Sequence, residues 1–593
     1  MGSRNQEWQC GYLPDIFYIF VWCQLNILMN YLMKRVKNTI IALFSSIILF
    51  TSCNREFLDR FPLDSPSSST FFSNETELTL AVNSAYRSLL WLSSHEVPYI
   101  MWLDGSTDMT WTRGDYVDML SLQSGNVTTE TSVFYDTWNF YYNSIMRCNN
   151  ILQHMHRAQE NVSPEFYNQT EAQAKFLRAW NYSFLISLYG DVPLVTTMLE
   201  LDDAYAGRAV KSDVLTLIFD DLDFAAAHLP VRWDEADNGR ATRGAALTLK
   251  ARIALYEEEY EIASRAAKEV MDLGEYSLYA DYENLFKRAG SGSSEAILSL
   301  PFVLNFQTSQ IPRYLGTRTA PGYAILVPTQ TMVDTYHCID GLRIDQSTLY
   351  EPTNPYKNRD PRLEQSILRP GEWYNNFKFE THPDSTTTLQ NVGGTLNRVN
   401  NLEVTNQYAT FTGYHWKKYF DETELPTQVT RSELDFMLMR YAEVLLTYAE
   451  AKIELGDIDQ TVIDAINEVR GRPSVQMPLA QANASQQELR KLVRYERTVE
   501  LALEGFRFFD IRRWRIAEDV LPGNMLGRRT KAHWFDEVIP TFNAVGKPAY
   551  NNERQIFQIL STNTFDPGKH YLWPVPQREL DLNPTLGQNP GWR

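Results

Sequence analysis

Two stretches of the chain follow one plan, and that plan restricts the fold more than any other feature. The pattern from Thr242 to Glu257 runs into Tyr260 to Asp272, and Gly274 ends it. Leu247, Ala251, Ala254, Tyr260, Ala263, Ala267 and Val270 place small and large residues where two close-packed antiparallel helices need them. The second stretch reads Phe436 to Leu455, a Gly456-Asp457 turn, then Val462 to Arg470. A last long helix is predicted from Gln487 to Leu503. Upstream, residues 75–92, 138–158 and 165–189 carry apolar residues at three- and four-residue spacing, and 212–228 adds a helix with Ser212 at its N-cap. Helix pairs of this kind stack into a curved scaffold. The expected fold class is therefore mainly α: a tetratricopeptide-like helix-pair scaffold with a large loop-rich subdomain and a few short strands, Ala296–Leu300 among them.

The loop-rich part is spread over three insertions. Residues 93–137 are rich in Gly, Ser, Thr, Asp and aromatics, 290–430 hold most of the irregular sequence, and 515–593 are rich in Pro, Asn and Gly. Ordered insertions of this length are usually where function lies.

The N-terminal region reads as an export signal. Met33 to Cys53 is MKRVKNTIIALFSSIILFTSC, with Lys34, Arg35 and Lys37 ahead of an apolar run from Thr39 to Phe50. That run is too short for a stop-transfer helix. Small residues precede Cys53, the layout in which a cysteine becomes the acylated first residue of a mature lipoprotein. Residues 1–32 read as an over-extended start, 33–52 as the signal peptide and 53–593 as the working body. Lipidation at Cys53 leaves Cys148 and Cys338, enough for one disulfide but not for a framework.

Composition narrows the partners. The net charge of −18 argues against nucleic acid and polyanionic glycans, unless basic groups cluster locally. The chain carries 14 Trp, 32 Tyr and 30 Phe, and some sit in polar, turn-rich segments where burial is not the obvious explanation.

Catalytic signatures are missing. There is no HExxH, GxSxG, GxxxxGK[ST] or CxxC, and no GxGxxG after a strand, and the nine histidines lack metal-ligand spacing. Glu496, Arg497, Glu500, Glu504, Arg507, Asp510 and Arg513 include paired carboxylates of the kind glycosidases use. Yet Leu489, Leu492, Val499 and Leu503 mark an apolar helix face with Glu496 in its register. A carboxylate there needs an arginine partner, so the cluster reads as a structural ion-pair network. Asp104-Gly105-Ser106-Thr107-Asp108 spaces oxygen ligands as calcium loops do, but Met109 stands where such a loop needs Gly. An Asp-Gly turn explains it better. No cofactor and no metal are expected.

The favoured binding segment is YIMWLDGSTDMTWTRGDY at 99–116, where Trp102, Trp111 and Tyr116 alternate with Asp104, Asp108, Arg113 and Asp115. Sugar rings offer apolar faces to aromatic rings and hydroxyl edges to Asp and Arg. Arg113 suits a diol or a carboxylate in bidentate fashion. A second patch, IPRYLGTRTAPGY at 311–323, adds Arg313, Tyr314, Arg318 and Tyr323, and Trp373-Tyr374 forms a third. The opposing reading packs both tryptophans under the loop as core.

Several segments together resemble the SusD/RagB family of outer-membrane nutrient-binding lipoproteins. They are FLDRFP at 57–62, RCNNIL at 147–152, EAQAKFLRAWNYSFLISLYGDVPLV at 171–195, MLMRYAEVLLTYAEAKIELG at 437–456, INEVRGR at 466–472, ERTVELALEGFRFFDIRRW at 496–514 and YLWPVPQRELDLNPTLGQNPGW at 571–592. The resemblance implies one SusD-like domain over 53–593, with an N-terminal part at 53–230 and a C-terminal part at 290–593. It further implies a cell-surface lipoprotein held in the outer membrane by lipid, facing outward, without catalysis. Such a protein hands an oligosaccharide to a SusC-type TonB-dependent transporter. The expected ligand contacts are Trp102, Asp104, Trp111, Arg113, Tyr116, Tyr314 and Tyr323. The alternatives are a RagB-like peptide binder, a surface glycoside hydrolase on the same scaffold, and a pure interaction scaffold.

Overall fold

A computed structural model describes residues 71–93, 96–114, 116–199, 205–320, 322–424 and 429–592, with isolated positions between 29 and 36. Cys53, its signal segment and Asp115 lie outside the described residues.

Helices dominate, as the spacing predicts. In chain order they are α1 (Glu75–Tyr86), α2 (Tyr99–Asp104), α3 (Ser132–His154), α4 (Pro164–Tyr189), α5 (Lys211–His228), α6 (Arg243–Tyr256) and α7 (Tyr260–Asp272). Next come α8 (Ile311–Leu315), α9 (Tyr441–Leu455), α10 (Gln460–Arg470), α11 (Gln486–Glu500) and α12 (Phe506–Arg513). Residues 72–593 form one compact unit. Neighbours stack in sequence, α3 on α4, α4 on α5, α5 on α6 and α6 on α7, after which α7 packs against α9 and α9 against α10 and α11. Alanines make the approach close: Ala254, Ala263 and Ala451 form one buried cluster with Leu255. Thr242 caps α6 by accepting from the Ala245 N–H, and Ser485 and Glu488 form a reciprocal capping box on α11.

Three local expectations are corrected. Ser212 lies inside α5, whose cap is Val210 without a side-chain bond. Phe436–Arg440 is a strand, not the first turns of α9. It pairs antiparallel with Ala296–Leu300, and all five of its residues are buried, so apolar content alone resembled a helix face. Cys148 and Cys338 are buried free thiols and not a disulfide.

The strands are short, and all but Phe436–Arg440 sit in the insertions. They include β1 (Thr110–Thr112), β2 (Ala296–Leu300), β3 (Leu326–Pro328), β4 (Trp373–Tyr374), β5 (Phe377–Lys378), β6 (Thr387–Val392), β7 (Thr395–Asn400), β8 (Phe436–Arg440), β9 (Gly523–Arg529) and β10 (Phe557–Asn563). β1 pairs with β3, β2 with β8 and β9 with β10, while β4–β7 form a four-stranded meander.

The charged cluster of α11 and its surroundings is a buried lattice. Arg440 bonds Glu295 at 2.7 Å, Glu500 at 2.9 Å and Glu504 at 2.7 Å. Arg472 bonds Glu295 at 2.7 Å and Glu500 at 2.8 Å. Arg362 bonds Asp360 and Glu496 at 2.8 Å each and Glu500 at 3.1 Å. Lys418 meets Glu504 at 2.6 Å, and Arg470 meets Glu496. Five carboxylates face five cations, and no side chain among them is more than 3% exposed. Burial pushes the Glu500 carboxyl upward, but Arg472, Arg440 and Arg362 outweigh it and hold it well below the usual range. A second knot joins Arg497 and Arg513 to Glu450 and Asp510. Removing one charge from such a lattice strands its partners without water. Glu500→Gln is therefore expected to lower stability by about 3–5 kcal/mol, read from chemical denaturation. A loss under about 1 kcal/mol would show that the lattice relaxes around the gap.

Candidate functional site

The aromatic segment 99–116 is anchored from below. α2 places Trp102 wholly inside, at 0% exposure, where its indole Nε1 donates to Ser93 Oγ at 3.1 Å. Asp104 is also buried, and its Oδ2 accepts the Gly505 N–H at 2.9 Å. Gly505 has φ +83°, and a Cβ there would stand 2.5 Å from the Ile100 carbonyl oxygen, so only glycine lets α12 begin against α2. Asp108 holds Arg507 with both oxygens, at 2.9 and 2.7 Å. The two carboxylates of the DGSTD turn are thus committed to the scaffold near α12.

β1 then lays Trp111 opposite Val327 of β3. Trp111 is 6% exposed and packs with Ala324, Val327 and Met525, with Phe411 edge-on at 5.6 Å. Its Nε1 has no hydrogen-bond partner among the described residues. The structure therefore places Trp102, Asp104 and Trp111 in the interior, as the core reading of the tryptophans holds. What reaches the surface comes from the residues after them.

Arg113 follows β1 and bridges to the second patch. Its Nη2 donates to the Tyr323 carbonyl at 2.9 Å and its Nε to the Ala324 carbonyl at 3.3 Å. Tyr314, on α8, is buried, and it sits edge-on to Trp102 at 5.9 Å, to Tyr116 at 6.2 Å and to Tyr323 at 6.1 Å. Tyr116 lies over Trp102 at 6.2 Å and 17° and is half-buried. The expected residues Trp102, Arg113, Tyr116, Tyr314 and Tyr323 are thus one cluster, although 200 residues of sequence separate its two parts. Trp373 is exposed and Tyr374 buried on Phe420, in a separate place.

One contributor escapes the sequence reading. Tyr408 is 47% exposed and stacks under the Arg113 guanidinium at 4.9 Å. Arg318 lies between Tyr408 at 5.9 Å and Tyr323 at 5.5 Å, and Arg313 covers Tyr323 at 4.2 Å and hydrogen-bonds its hydroxyl. The result is a platform of alternating tyrosines and arginines. Burial, reinforced by the neighbouring Arg318 charge, lowers the pKa of Arg113. Arg318 keeps a buried Nε with no hydrogen-bond partner among the described residues. Chemically, the platform offers flat apolar rings beside guanidinium donors. Among the described residues no group of acidic, His or Cys side chains is arranged to hold a metal ion.

Comparison with known proteins agrees with this architecture. The family model described as "SusD family" matches residues 285–592, and the one described as "Starch-binding associating with outer membrane" matches 56–255. The chain belongs to the SusD family. "SusD-like protein P25" of Formosa agariphila is 25% identical over 574 residues, covering 93% of this chain and 98% of that protein. A crystal structure of a SusD-like carbohydrate binding protein from Bacteroides fragilis superposes with a TM-score of 0.76 at 27% identity, covering 87% of this chain and all of that one. A second SusD-like protein of the same species gives 0.72 at 24% identity, over 90% of this chain and all of that one. The mainly α expectation holds.

Asp104 supplies a pH test of how the platform is anchored. Burial pushes its carboxyl up to about 7. A raised carboxyl binds its proton more tightly in the folded than in the unfolded chain. Stability therefore falls as pH climbs from about 4 to about 7 and then levels. Asp104→Asn keeps an acceptor for the Gly505 N–H and removes the titration. Its denaturation midpoint is expected to exceed that of the native protein at pH 8 and to match it near pH 4. Equal midpoints at pH 8 would show that Asp104 ionises there without cost.

Proposed function

We propose that the protein is a cell-surface glycan-binding lipoprotein without catalysis, which captures an oligosaccharide and passes it to a SusC-type transporter of the outer membrane. The carrying observation is the Tyr116–Tyr323–Tyr408 platform with its interleaved guanidiniums. Aromatic faces take the apolar faces of sugar rings, and guanidinium edges take hydroxyls. The site is held from below by buried groups, so it is largely formed before the ligand arrives. Family membership and the carbohydrate-binding relative from Bacteroides fragilis support this reading. The model description that names outer-membrane association supports the location. The contacting residues are taken as Tyr116, Tyr323, Tyr408, Arg113 and Arg318, with Trp102, Tyr314, Asp104 and Trp111 supporting them.

Isothermal titration against a panel of oligosaccharides and peptides tests this directly. Saturable heat with one sugar class is expected, and Tyr408→Ala should weaken it about tenfold. Saturable heat with peptides alone would move the protein to the peptide-binding branch. Heat that continues with time, together with new reducing ends, would overturn the absence of catalysis.

Anchoring makes a separate prediction. Cys53 is the acylated residue on this reading, and lipid plus transporter give two attachment points. Cys53→Ala expressed in cells lacking the transporter should appear in the soluble fraction, and its retention in the membrane would refute the lipid anchor.

A further inference from the structure

The segment that carries Tyr408 continues into a second concavity. Thr412, Gly413 and Tyr414 line a cavity of about 380 Å³, within the range of small-ligand sites. Five residues separate Tyr408 from Gly413, so their Cα atoms lie at most about 18 Å apart. None of the platform residues lines this cavity.

Its rim is aromatic and unusually exposed. Phe535 is 84% exposed, and its ring stacks on His382 at 5.7 Å and 24°, while Trp534 meets His382 edge-on at 4.9 Å. Arg528 and Arg529 line the cavity between this rim and Gly413. Gly413, at φ +85°, brings the backbone so close that a Cβ would stand 3.3 Å from the Cβ of Arg528. Arg529 uses Nη1 on the Asp536 main-chain oxygen at 2.7 Å. Arg528 reaches only the main-chain oxygens of Thr381 and Glu403, both at 3.4 Å. Neither arginine forms an ion pair among the described residues. The lining acids are already engaged: Asp334 accepts from Tyr550 at 2.6 Å and Gln330 at 2.8 Å, Glu380 meets Lys378 at 3.1 Å, and Asp536 meets His533 Nδ1 at 2.7 Å.

The platform repeats this pattern. Arg113, Arg313 and Arg318 bond carbonyls, an amide and a hydroxyl, and form no ion pair among the described residues. Five half-buried guanidiniums form no ion pair among the described residues, in contrast to the arginines of the buried lattice, and Arg359, which also lines the cavity, bonds only main-chain oxygens; such donors suit an external anion. Local charge thereby overrides the overall balance that argued against polyanionic glycans.

We propose that this cavity is a second glycan subsite, and that the oligosaccharide spanning it and the Tyr408 platform carries anionic groups, carboxylates or sulfates, on its sugar units. One sugar face lies on Phe535 and Trp534 while its anion is held by Arg528 and Arg529, for which planar guanidinium donors are well suited. Two linked subsites raise affinity beyond either alone. The proposal rests on the platform reading above.

The test titrates the protein with oligogalacturonates, their methyl esters and sulfated galactan oligosaccharides, and maps each complex by hydrogen exchange. The acidic forms are expected to bind at least about tenfold more tightly than the esters, and the gap should narrow as salt rises. Tighter binding of the uronate or of the sulfated series identifies which anion is used. Phe535→Ala and Arg529→Gln, both at the accessible rim, should each cost about tenfold and remove protection at 528–536, while protection at 313–323 persists. Unchanged affinity in both variants with no protection at 528–536 overturns the second subsite and leaves the platform standing. Equal binding of acid and ester overturns the anionic ligand. Failure of every glycan, neutral or acidic, removes the platform reading and this one together.

Discussion

Glu500 is the charge on which the rest of the structure leans. It sits at the end of α11 and meets arginines from three other parts of the chain: Arg362 before β4, Arg440 at the end of β8 and Arg472 after α10. Each of these arginines binds a further carboxylate, so no single contact carries the charge balance. In an interior without water, such groups hold position because every alternative leaves a charge unpaired. The lattice ties together β8, α10, α11 and the segment around 360.

The lattice extends to the ligand platform through its last member. Glu504 binds Arg440 and Lys418, and the next residue, Gly505, donates its N–H to Asp104. Two residues later Arg507 binds Asp108. The loop that carries Arg113 and Tyr116 is therefore pinned to the C-terminal half of the scaffold by two buried carboxylates some 400 residues distant in sequence. Burial brings Lys418 down to about 8, so the link is strongest where both Lys418 and Glu504 are charged. The tyrosine–arginine platform is thus held by electrostatic attachment, even though it is built from irregular segments.

The scaffold was readable because close helix packing leaves a local record. Alanines at three- and four-residue spacing in 242–272 mark the α6–α7 pair, and Gly456 with a positive φ ends α9 as its position implies. Phe436–Arg440 was misread because a strand buried on both faces shows no alternation, and only its pairing with Ala296–Leu300 distinguishes it. The ion-pair role of Glu496 and Glu500 was also legible, since carboxylates in the register of an apolar helix face demand cations. Which cations could not be read, because Arg362 and Arg472 arrive from other segments.

The site was legible by segment but not by side chain. The residues around 102–116 and 313–323 do meet, yet the two tryptophans that looked best suited to stacking are inside, and of the platform tyrosines only Tyr408 is exposed, with Tyr116 and Tyr323 half-buried. Large indoles fill the space under a loop, while a phenol can bury its ring edge and still present a face and a hydroxyl to solvent. Tyr408 lies in an Asn- and Thr-rich stretch with nothing nearby to mark it, and only the fold brings it to Arg113. Net charge carries no information on place: a total of −18 is a sum over the chain, whereas a ligand responds to charges within about a Debye length. Which of the described arginines the fold leaves without an ion pair is a property that no window of sequence contains.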